Sequence, residues 1–286
     1  MLISVRHRTR YAYDTETRYS VQSLRVTPQS YPGQRVLEWK IDAPGIDKAL
    51  EFRDCYGNIV HQITVTKPHS EVVVEVKGIV ETSDRAGIVS GNVEVAPVTV
   101  YLRVTPQTAA SDEIVKLASA GADLDYLGRL HALMHATRDA IDYVPGTTDA
   151  HTSASEALTD AKGVCQDHAH VMIAAVRSLG QPARYVTGYL VGEAEAGHAW
   201  VEAFVDGLGW VGFDPANRIC PTEAYVRVAA GLDAASAAPV RGARRGGGKE
   251  GLEVAVEVMQ QQAGQQQSQS QTSGGQSKSQ TQAQSS

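Results

Sequence analysis

The chain has 286 residues, of which 42% are hydrophobic and 20% are charged, and its net charge is −6 at neutral pH. This balance is typical of a folded globular protein with one or two domains. The excess of acidic residues argues against a nucleic-acid-binding protein, which needs basic side chains to neutralise phosphates. No stretch reaches the roughly 18 apolar residues of a membrane span, so we expect no membrane partner.

The N-terminus and the cysteines predict a cytoplasmic protein. Arg6 introduces charge before the apolar core of a signal peptide could form. The three cysteines, Cys55, Cys165 and Cys220, are widely spaced and odd in number. This pattern favours reduced thiols over a disulfide framework.

The first part of the chain predicts β-structure. Residues 2–11 mix polar and apolar side chains, residues 35–41 alternate, and residues 71–76 are rich in β-branched side chains. Turn signals such as Pro32-Gly33 and Pro44-Gly45 separate these segments. We therefore expect a β-sandwich-like domain over residues 1–107.

The pattern becomes helical after residue 107. Ser111 and the acidic residues that follow predict a helix start, and apolar residues then recur every three to four positions from Leu124 to Ile141. Ser153 has capping-box spacing to Glu156 and opens a short helix. A further helix is expected to begin at Cys165, directly after a turn signal.

Strands follow the helices, which predicts an α+β class for this half of the chain. Residues 183–191 read as a strand, residues 198–205 and 210–214 as the two arms of a hairpin, and residues 252–258 as one more strand. The predicted second domain covers residues 108–259. Residues 260–286 are almost entirely glutamine, serine, glycine and threonine, and predict a disordered tail.

Cys165 is the leading candidate for a nucleophile. A thiolate is far more reactive than a thiol, and a helix N-terminus or a nearby imidazolium favours the thiolate form of a cysteine. His198, at the start of the hairpin, could act as that imidazolium and as a general acid and base. Asp214, at the end of the hairpin, could fix the tautomer of His198.

This arrangement requires a particular hairpin register. We expect His198 opposite Asp214, with Trp200 opposite Gly212, so that the two catalytic side chains share one face of the sheet. A simple four-residue loop would place them on opposite faces. The sequence therefore predicts a three-residue connection or a bulge around Gly207 and Gly209.

The remaining site predictions are an oxyanion hole and the absence of a metal. The backbone N–H of Cys165 is one oxyanion donor, and Tyr143 is a candidate for the second, with a packing tyrosine as the alternative. A buried structural cysteine is the ordinary alternative for Cys165.

A zinc site is a further alternative, which would use the cysteines and histidines at positions 165, 168, 170, 198 and 220. No second close pair completes four ligands. The histidine pair His131 and His135 lacks a His-Glu-x-x-His pattern. No cofactor or metal is predicted.

Four segments together resemble the core of the bacterial transglutaminase-like superfamily, and the β-rich first half resembles the domain that precedes this core. The segments are Gly163-Val164-Cys165-Gln166-Asp167, residues 177–189, residues 198–202 and Trp210-Val211-Gly212-Phe213-Asp214-Pro215. The resemblance implies a papain-like thiol fold with Cys165 as nucleophile, His198 as base and Asp214 as its orienting group. Two residues depart from the pattern: His168 stands where an aromatic or apolar residue is expected, and Asn217 follows Asp214-Pro215-Ala216, where a threonine is expected before it. Neither departure is expected to touch the triad.

The sequence therefore predicts a thiol-dependent acyl-transfer enzyme, with a cysteine peptidase or amidase acting on a peptide or protein as the preferred function. A protein-glutamine γ-glutamyltransferase, which cross-links or deamidates, would use the same acyl-enzyme intermediate. A binding scaffold without catalysis is the alternative from another class.

Overall fold

The structure is a computed structural model, and it describes residues 1–192 and 197–261. It contains two large sheets and four α-helices, as expected for the α+β class. The predicted disorder of the tail falls on residues that lie outside the described ones, apart from Gln260 and Gln261.

The helices are α1 (Asp112–Leu117), α2 (Tyr126–Ala140), α3 (Ala154–Asp160) and α4 (Cys165–Ser178). The strands of the first half are β1 (Leu2–Thr27), β2 (Gln34–Asp42), β3 (Leu50–Arg53), β4 (Ile59–Val65), β5 (His69–Thr82) and β6 (Ile88–Val89). Those of the second half are β7 (Asp142–Tyr143), β8 (Lys162–Gly163), β9 (Ala183–Leu190), β10 (His198–Val205), β11 (Gly209–Phe213), β12 (Tyr225–Gly231), β13 (Val240–Gly246) and β14 (Glu250–Gln260).

The first sheet is built around the 26-residue strand β1. β5 and then β4 pair with one edge of β1, and β14 and then β13 pair with the other, all antiparallel. On each edge of β1, the pairing is interrupted near residues 13–17, where one partner strand gives way to the next. The long strand can therefore bend there without losing its pairing on either side.

The bend folds this sheet onto itself. Leu24 and Val26, from the second half of β1, pack in one apolar cluster with Val72 and Val74 of β5, which pair with its first half. The indole N–H of Trp39 donates to the backbone oxygen of Val26 at 3.0 Å and joins the two layers. The first half of the chain thus forms the predicted β-sandwich-like sheet.

The second sheet has the strand order β12-β9-β10-β11-β6, and α4 packs against it. Every residue of α4 from Asp167 to Arg177 is buried, because helices and the sheet surround it on all sides. The division of the chain into domains at residues 107 and 259 stays a prediction. Three strand pairings cross it: β6 pairs with β11 of the second sheet, and β13 and β14 both pair with β1 of the first sheet.

Buried Arg177, near the end of α4, ties the helix to its surroundings. Its guanidinium donates to the backbone oxygens of Tyr101, Ala183 and Leu232 and to the hydroxyl of Thr108, at 2.7 to 3.2 Å. Burial lowers the pKa of Arg177 to about 10, which still leaves the group charged at neutral pH. One side chain thus holds four separate chain segments against α4.

We predict that Arg177→Met lowers the free energy of unfolding by about 3–5 kcal/mol, since it leaves several buried acceptors without a donor. Chemical denaturation would measure the change. Arg103→Met is the matched control, because that side chain is exposed. Similar decreases in the free energy of unfolding for Arg177→Met and Arg103→Met would contradict the assigned role of Arg177.

Candidate active site

Cys165 is the first residue of α4, as predicted, and its side chain is half-buried. Val164 precedes the helix, and the carboxylate of Asp167 accepts a hydrogen bond from the Val164 backbone N–H at 2.8 Å. The same carboxylate oxygen accepts from the hydroxyl of Thr148 at 2.6 Å. The helix start that carries the thiol is therefore fixed by a side-chain cap and by the loop before α3.

His198 is the first residue of β10 and is buried. Its Nε2 and Oδ2 of Asp214 are 2.7 Å apart. Because a carboxylate only accepts hydrogen bonds, Nε2 carries the proton, and Nδ1 is the basic nitrogen of the neutral ring. The structure thus brings together two of the three predicted catalytic side chains.

The hairpin has the predicted three-residue connection, with Val205 paired to Gly209. The predicted register, however, is wrong by two residues: Gly212 lies opposite Glu202, not opposite Trp200. Since side chains alternate with a period of two, a shift of two residues keeps His198 and Asp214 on one face. They meet diagonally across the strands rather than directly opposite each other.

Asp214 is buried and receives more hydrogen bonds than the sequence suggested. The hydroxyl of Tyr225 donates to Oδ2 at 2.7 Å, and Nδ2 of Asn217 donates to the same oxygen at 2.8 Å. The backbone N–H of Asn217 donates to Oδ1 at 3.2 Å. Burial raises the pKa of Asp214, but the hydrogen bonds from His198, Asn217 and Tyr225 outweigh burial and keep this pKa below its ordinary value.

The expectation that neither family departure touches the triad is wrong for Asn217. The Asp214-Pro215-Ala216-Asn217 turn folds back, with Asp214 bridged to Ile219, so that Asn217 caps the carboxylate. Arg218, the next residue, adopts a left-handed backbone conformation (φ 60°). Its side chain pairs with Asp139 of α2 at 2.6 Å, and this contact holds the turn in place. The short polar side chain three residues after Asp214 was the available signal for this role.

Aromatic rings enclose the histidine. Trp200 stacks on His198 with ring centroids 6.1 Å apart, and Tyr225 packs on it at 5.8 Å. Gly188 of β9 makes room for the indole, because a Cβ there would lie 2.7 Å from the ring of Trp200 and 2.1 Å from the backbone oxygen of Val226. Water is therefore excluded from much of the imidazole, which strengthens its hydrogen bond to Asp214.

Four residues beyond His198, fully buried Glu202 pairs with two arginines. Arg184 of β9 donates to it at 2.6 Å and Arg227 of β12 at 2.7 Å. Burial raises the pKa of Glu202, but the two guanidinium groups outweigh burial and lower this pKa to about 2. Arg184 also lies over the ring of Trp210, 3.9 Å from its centroid. The ion pairs fix the register of three adjacent strands of the second sheet.

Tyr143 lies near the helix start because β7 pairs in parallel with β8, which puts Tyr143 opposite Gly163. Its side chain is 40% exposed, and its ring packs on His168. The role of Tyr143 as an oxyanion donor stays a prediction. His168 itself is buried, with Nδ1 2.8 Å from the backbone oxygen of Val164 and Nε2 3.1 Å from that of Ile141. The neutral ring donates to one of these two oxygens.

The other histidines considered as metal ligands have structural contacts. Nε2 of His170 accepts the backbone N–H of Ala234 at 3.0 Å, and the ring of His131 packs edge-on against Phe213. Within residues 1–192 and 197–261, no three His, Cys, Asp or Glu side chains are grouped as a metal site. In the same ranges, no helix combines the length and apolar character that crossing a membrane requires.

Comparison with known proteins identifies the family. Residues 112–215 match the model of the transglutaminase-like superfamily, and residues 3–81 match the bacterial transglutaminase-like N-terminal region. The chain is 32% identical over 270 residues to the uncharacterized protein ML0607 of Mycobacterium leprae, which covers 88% of this chain and 96% of that protein. The uncharacterized protein Rv2569c of Mycobacterium tuberculosis is 28% identical over 271 residues, covering 83% and 86%.

The fold is shared with a solved structure. A crystal structure from Cytophaga hutchinsonii, provisionally described as a cysteine protease, superposes with a TM-score of 0.71 and covers 90% of both chains at 24% identity. The protein belongs to the transglutaminase-like superfamily, with its bacterial N-terminal domain. The family and the fold predicted from the sequence, a β-sheet domain before a papain-like core, are confirmed.

We predict that Glu202→Gln destabilises the protein by about 3–5 kcal/mol at neutral pH, because two buried guanidinium groups lose their counter-charge. Since folding lowers the pKa of Glu202 from 4.5 to about 2, its ionised form stabilises the native state above pH 4.5. That stabilisation is lost as the pH falls from 4.5 towards 2. The difference in the free energy of unfolding between wild type and Glu202→Gln should therefore shrink as the pH falls over this range.

Denaturant unfolding at several pH values would measure this difference. Glu257→Gln is the control, since its pair with Arg6 is exposed and should affect stability little. An effect of equal size at pH 3 and pH 7 would contradict the assigned ionic role of Glu202.

Proposed function

We propose that the protein is a cysteine peptidase or amidase that acts through an acyl-enzyme intermediate, with Cys165, His198 and Asp214 as its catalytic triad. The observation that carries the proposal is the 2.7 Å hydrogen bond between buried His198 and Asp214 in the sheet that packs against the Cys165 helix. The aspartate holds Nε2–H, so proton exchange with the thiol runs through Nδ1. A packing cysteine would not require a histidine with this fixed tautomer on the strand that packs against its helix.

The reaction begins when Nδ1 of His198 takes the thiol proton and Sγ attacks the carbonyl carbon of an amide. The C–N bond then breaks as the imidazolium gives its proton to the leaving amine, and a thioester remains. Water, deprotonated by Nδ1, attacks the thioester and releases a carboxylic acid and the free thiol. Each proton taken by His198 is thus returned in the following step.

The oxyanion formed in both steps needs donors at the helix start. The backbone N–H of Cys165 is proposed as one, because the first N–H groups of a helix lack partners within the helix. The phenol of Tyr143 is proposed as the second donor. Strand pairing holds Tyr143 opposite Gly163, which lies two residues before Cys165. The negative charge therefore develops near the positive end of the α4 dipole.

The proposal includes the substrate class and the location. A peptide or protein is the proposed substrate, with no nucleic-acid or membrane partner. A cytoplasmic location is also proposed, supported by three cysteines that form no disulfide.

We predict that iodoacetamide labels Cys165 at least about tenfold faster than Cys55 near neutral pH, because a thiolate reacts and a thiol does not. Cys55 is the internal control, since it is exposed and access alone would make it the fastest. Burial raises the pKa of Cys220, so this thiol should react slowest. Mass spectrometry of timed digests would give the three rates.

His198→Ala should remove the advantage of Cys165 in the same experiment. Equal labelling of Cys165 in wild type and His198→Ala would contradict the proposed pair.

Turnover is tested with a peptide library and a labelled amine, with Cys165→Ala as the control. Cleaved peptides that depend on Cys165 support a peptidase, and loss of ammonia from glutamine or asparagine side chains supports an amidase. Incorporation of the amine into glutamine would instead identify a γ-glutamyltransferase. No product that depends on Cys165 would indicate a non-catalytic scaffold and overturn the proposal.

We predict that Tyr225→Phe lowers kcat/KM by about tenfold, because Asp214 loses one hydrogen bond and orients His198 less firmly. Tyr189→Phe is the matched control: it removes a buried hydroxyl that bonds to His7 at 2.8 Å, away from Asp214. If no substrate is found, the labelling rate of Cys165 replaces kcat/KM as the measurement. Equal effects of the two substitutions would show that Tyr225 acts on stability alone.

A further inference from the structure

Strands β13 and β14 form an open edge of the first sheet. Both pair with β1, one after the other, and among the residues that the structure describes no other strand pairs with either of them. Most of their residues are exposed, including the apolar side chains of Leu252 (58%) and Val254 (38%). An open strand edge presents a row of N–H and C=O groups to which another chain can add as a further strand.

The turn between the two strands is packed against β1. The backbone N–H groups of Asp14 and Thr15 donate to backbone oxygens of the turn at 3.2 and 3.4 Å. A Cβ at Gly247 would lie 2.3 Å from Oγ1 of Thr17, so the turn approaches β1 more closely than a side chain would allow. β13 and β14 therefore follow β1 as one interrupted strand.

The hydrogen bonds to β1 show which backbone groups of this edge point away from it. In an antiparallel pair, the N–H and C=O of one residue point to one side, and those of the next residue point to the other. The backbone oxygens of Pro239 and Lys249 accept N–H groups of β1. The oxygen of Val258 instead accepts the N–H of Gly192, at 3.5 Å. The backbone groups of odd-numbered residues thus point to β1, and those of even-numbered residues point outward.

The exposed charges of this edge are basic on β13 and acidic on β14. Arg241 and Arg245 lie on the solvent side of β13, and Glu253 and Glu257 lie on the solvent side of β14. All four therefore project from the face of the sheet opposite its apolar core. The edge thus consists of a basic half followed by an acidic half.

Ion pairs cross the sheet and end at the acidic half of the edge. Glu71 of β5 pairs with Arg10 of β1 at 2.8 Å, and Arg10 pairs with Glu253 of β14 at 3.1 Å. In the same direction, Arg6 of β1 pairs with Glu257 of β14 at 3.6 Å. Since opposite charges stabilise neighbouring strands, a strand beyond β14 should carry a cation next to each glutamate.

We propose that two copies of the chain associate through this edge, with β13 of each copy antiparallel to β14 of the other. The register places Arg241 opposite Glu257 of the second copy, and Arg245 opposite its Glu253. Each series of ion pairs is then continued by a cation. Two-fold symmetry makes every contact occur twice, and the symmetry axis passes through the turn between β13 and β14.

The backbone satisfies the same register. The next pair along the strands is Arg244 and Val254 of the second copy, and both residues have even numbers. Their N–H and C=O groups point outward and can form hydrogen bonds between the copies. A shift of one residue would oppose outward-pointing and inward-pointing groups, and a shift of two would place neither arginine opposite a glutamate.

A second copy suits this edge better than another partner. A nucleic acid would be attracted by the arginines of β13 but repelled by the glutamates of β14. A strand of another protein would need an acidic half and a basic half in the matching order, which the second copy has by symmetry. The pairing also covers part of the exposed apolar surface of Leu252 and Val254.

The test is analytical ultracentrifugation of the full chain over a range of concentrations. We expect a monomer–dimer equilibrium with a dissociation constant in the micromolar range, which weakens as salt screens the facing charges. Arg241→Glu with Arg245→Glu makes all facing charges negative, and Glu253→Arg with Glu257→Arg makes them all positive. Each double variant alone should dimerise at least about tenfold more weakly than wild type.

An equal mixture of the two double variants gives the decisive result. One variant then has four glutamates and the other four arginines at the facing positions, so the mixture should form a heterodimer about as tight as the wild-type dimer. Arg35→Glu with Lys40→Glu, on β2 at another edge of the sheet, is the control and should dimerise like wild type. Wild type that stays monomeric, or a mixture that dimerises no better than either variant, would overturn the proposal.

Amide hydrogen exchange tests the interface without any substitution. The N–H groups of Arg244 and Val254 point outward and should exchange at least about tenfold more slowly in concentrated than in dilute wild-type protein. Those of Ala243 and Ala255 point to β1 and should change little. A dimer that leaves Arg244 and Val254 unprotected would lie at another surface and would also overturn the proposal.

Discussion

One buried carboxylate determines how the second sheet is assembled. Glu202 in β10 binds Arg184 of β9 and Arg227 of β12, so three strands must align before its charge is satisfied. The backbone of Arg227 also exchanges two hydrogen bonds with the side chain of Gln34 on β2, which connects this alignment to the first sheet. His198 begins the strand of Glu202, and Tyr225 lies two residues before Arg227. The ion pairs therefore position His198 and Tyr225, the two strand residues whose side chains bond to Asp214. A misaligned sheet would leave charges buried without partners, so the native register is strongly favoured.

Local patterns in the sequence were sufficient to predict the helix and strands that carry the proposed triad. The turn before Cys165 predicted a helix start, and alternation around the glycine-rich loop predicted the hairpin with His198 and Asp214. The exact register of the hairpin could not be predicted in this way, because registers that differ by two residues place the same side chains on the same faces of the sheet. The parity of the register was predictable, since only one parity places both proposed catalytic side chains on one face.

The parts of the site that were missed depend on contacts between distant segments. Tyr225 belongs to β12, a strand that is almost wholly buried and was not recognised, and its hydroxyl meets Asp214 only after β12 pairs with β9. Asn217 lies close to Asp214 in sequence, yet its hydrogen bond to the carboxylate depends on the turn after β11 folding back. In the same way, strand β13 reads as a glycine- and arginine-rich loop, and pairing with β1 makes it a strand.

The pairing of β1 with β14 also has a consequence for biosynthesis. Ile3 and Val5 are synthesised long before Val256 and Val258, which lie on one of their two neighbouring strands. The first sheet therefore cannot close during translation until the chain has emerged as far as Val258, by which point the helices and strands of residues 112–231 are already complete. An apolar strand edge stays exposed throughout elongation, which is the state in which nascent chains are most prone to associate with one another or to recruit chaperones.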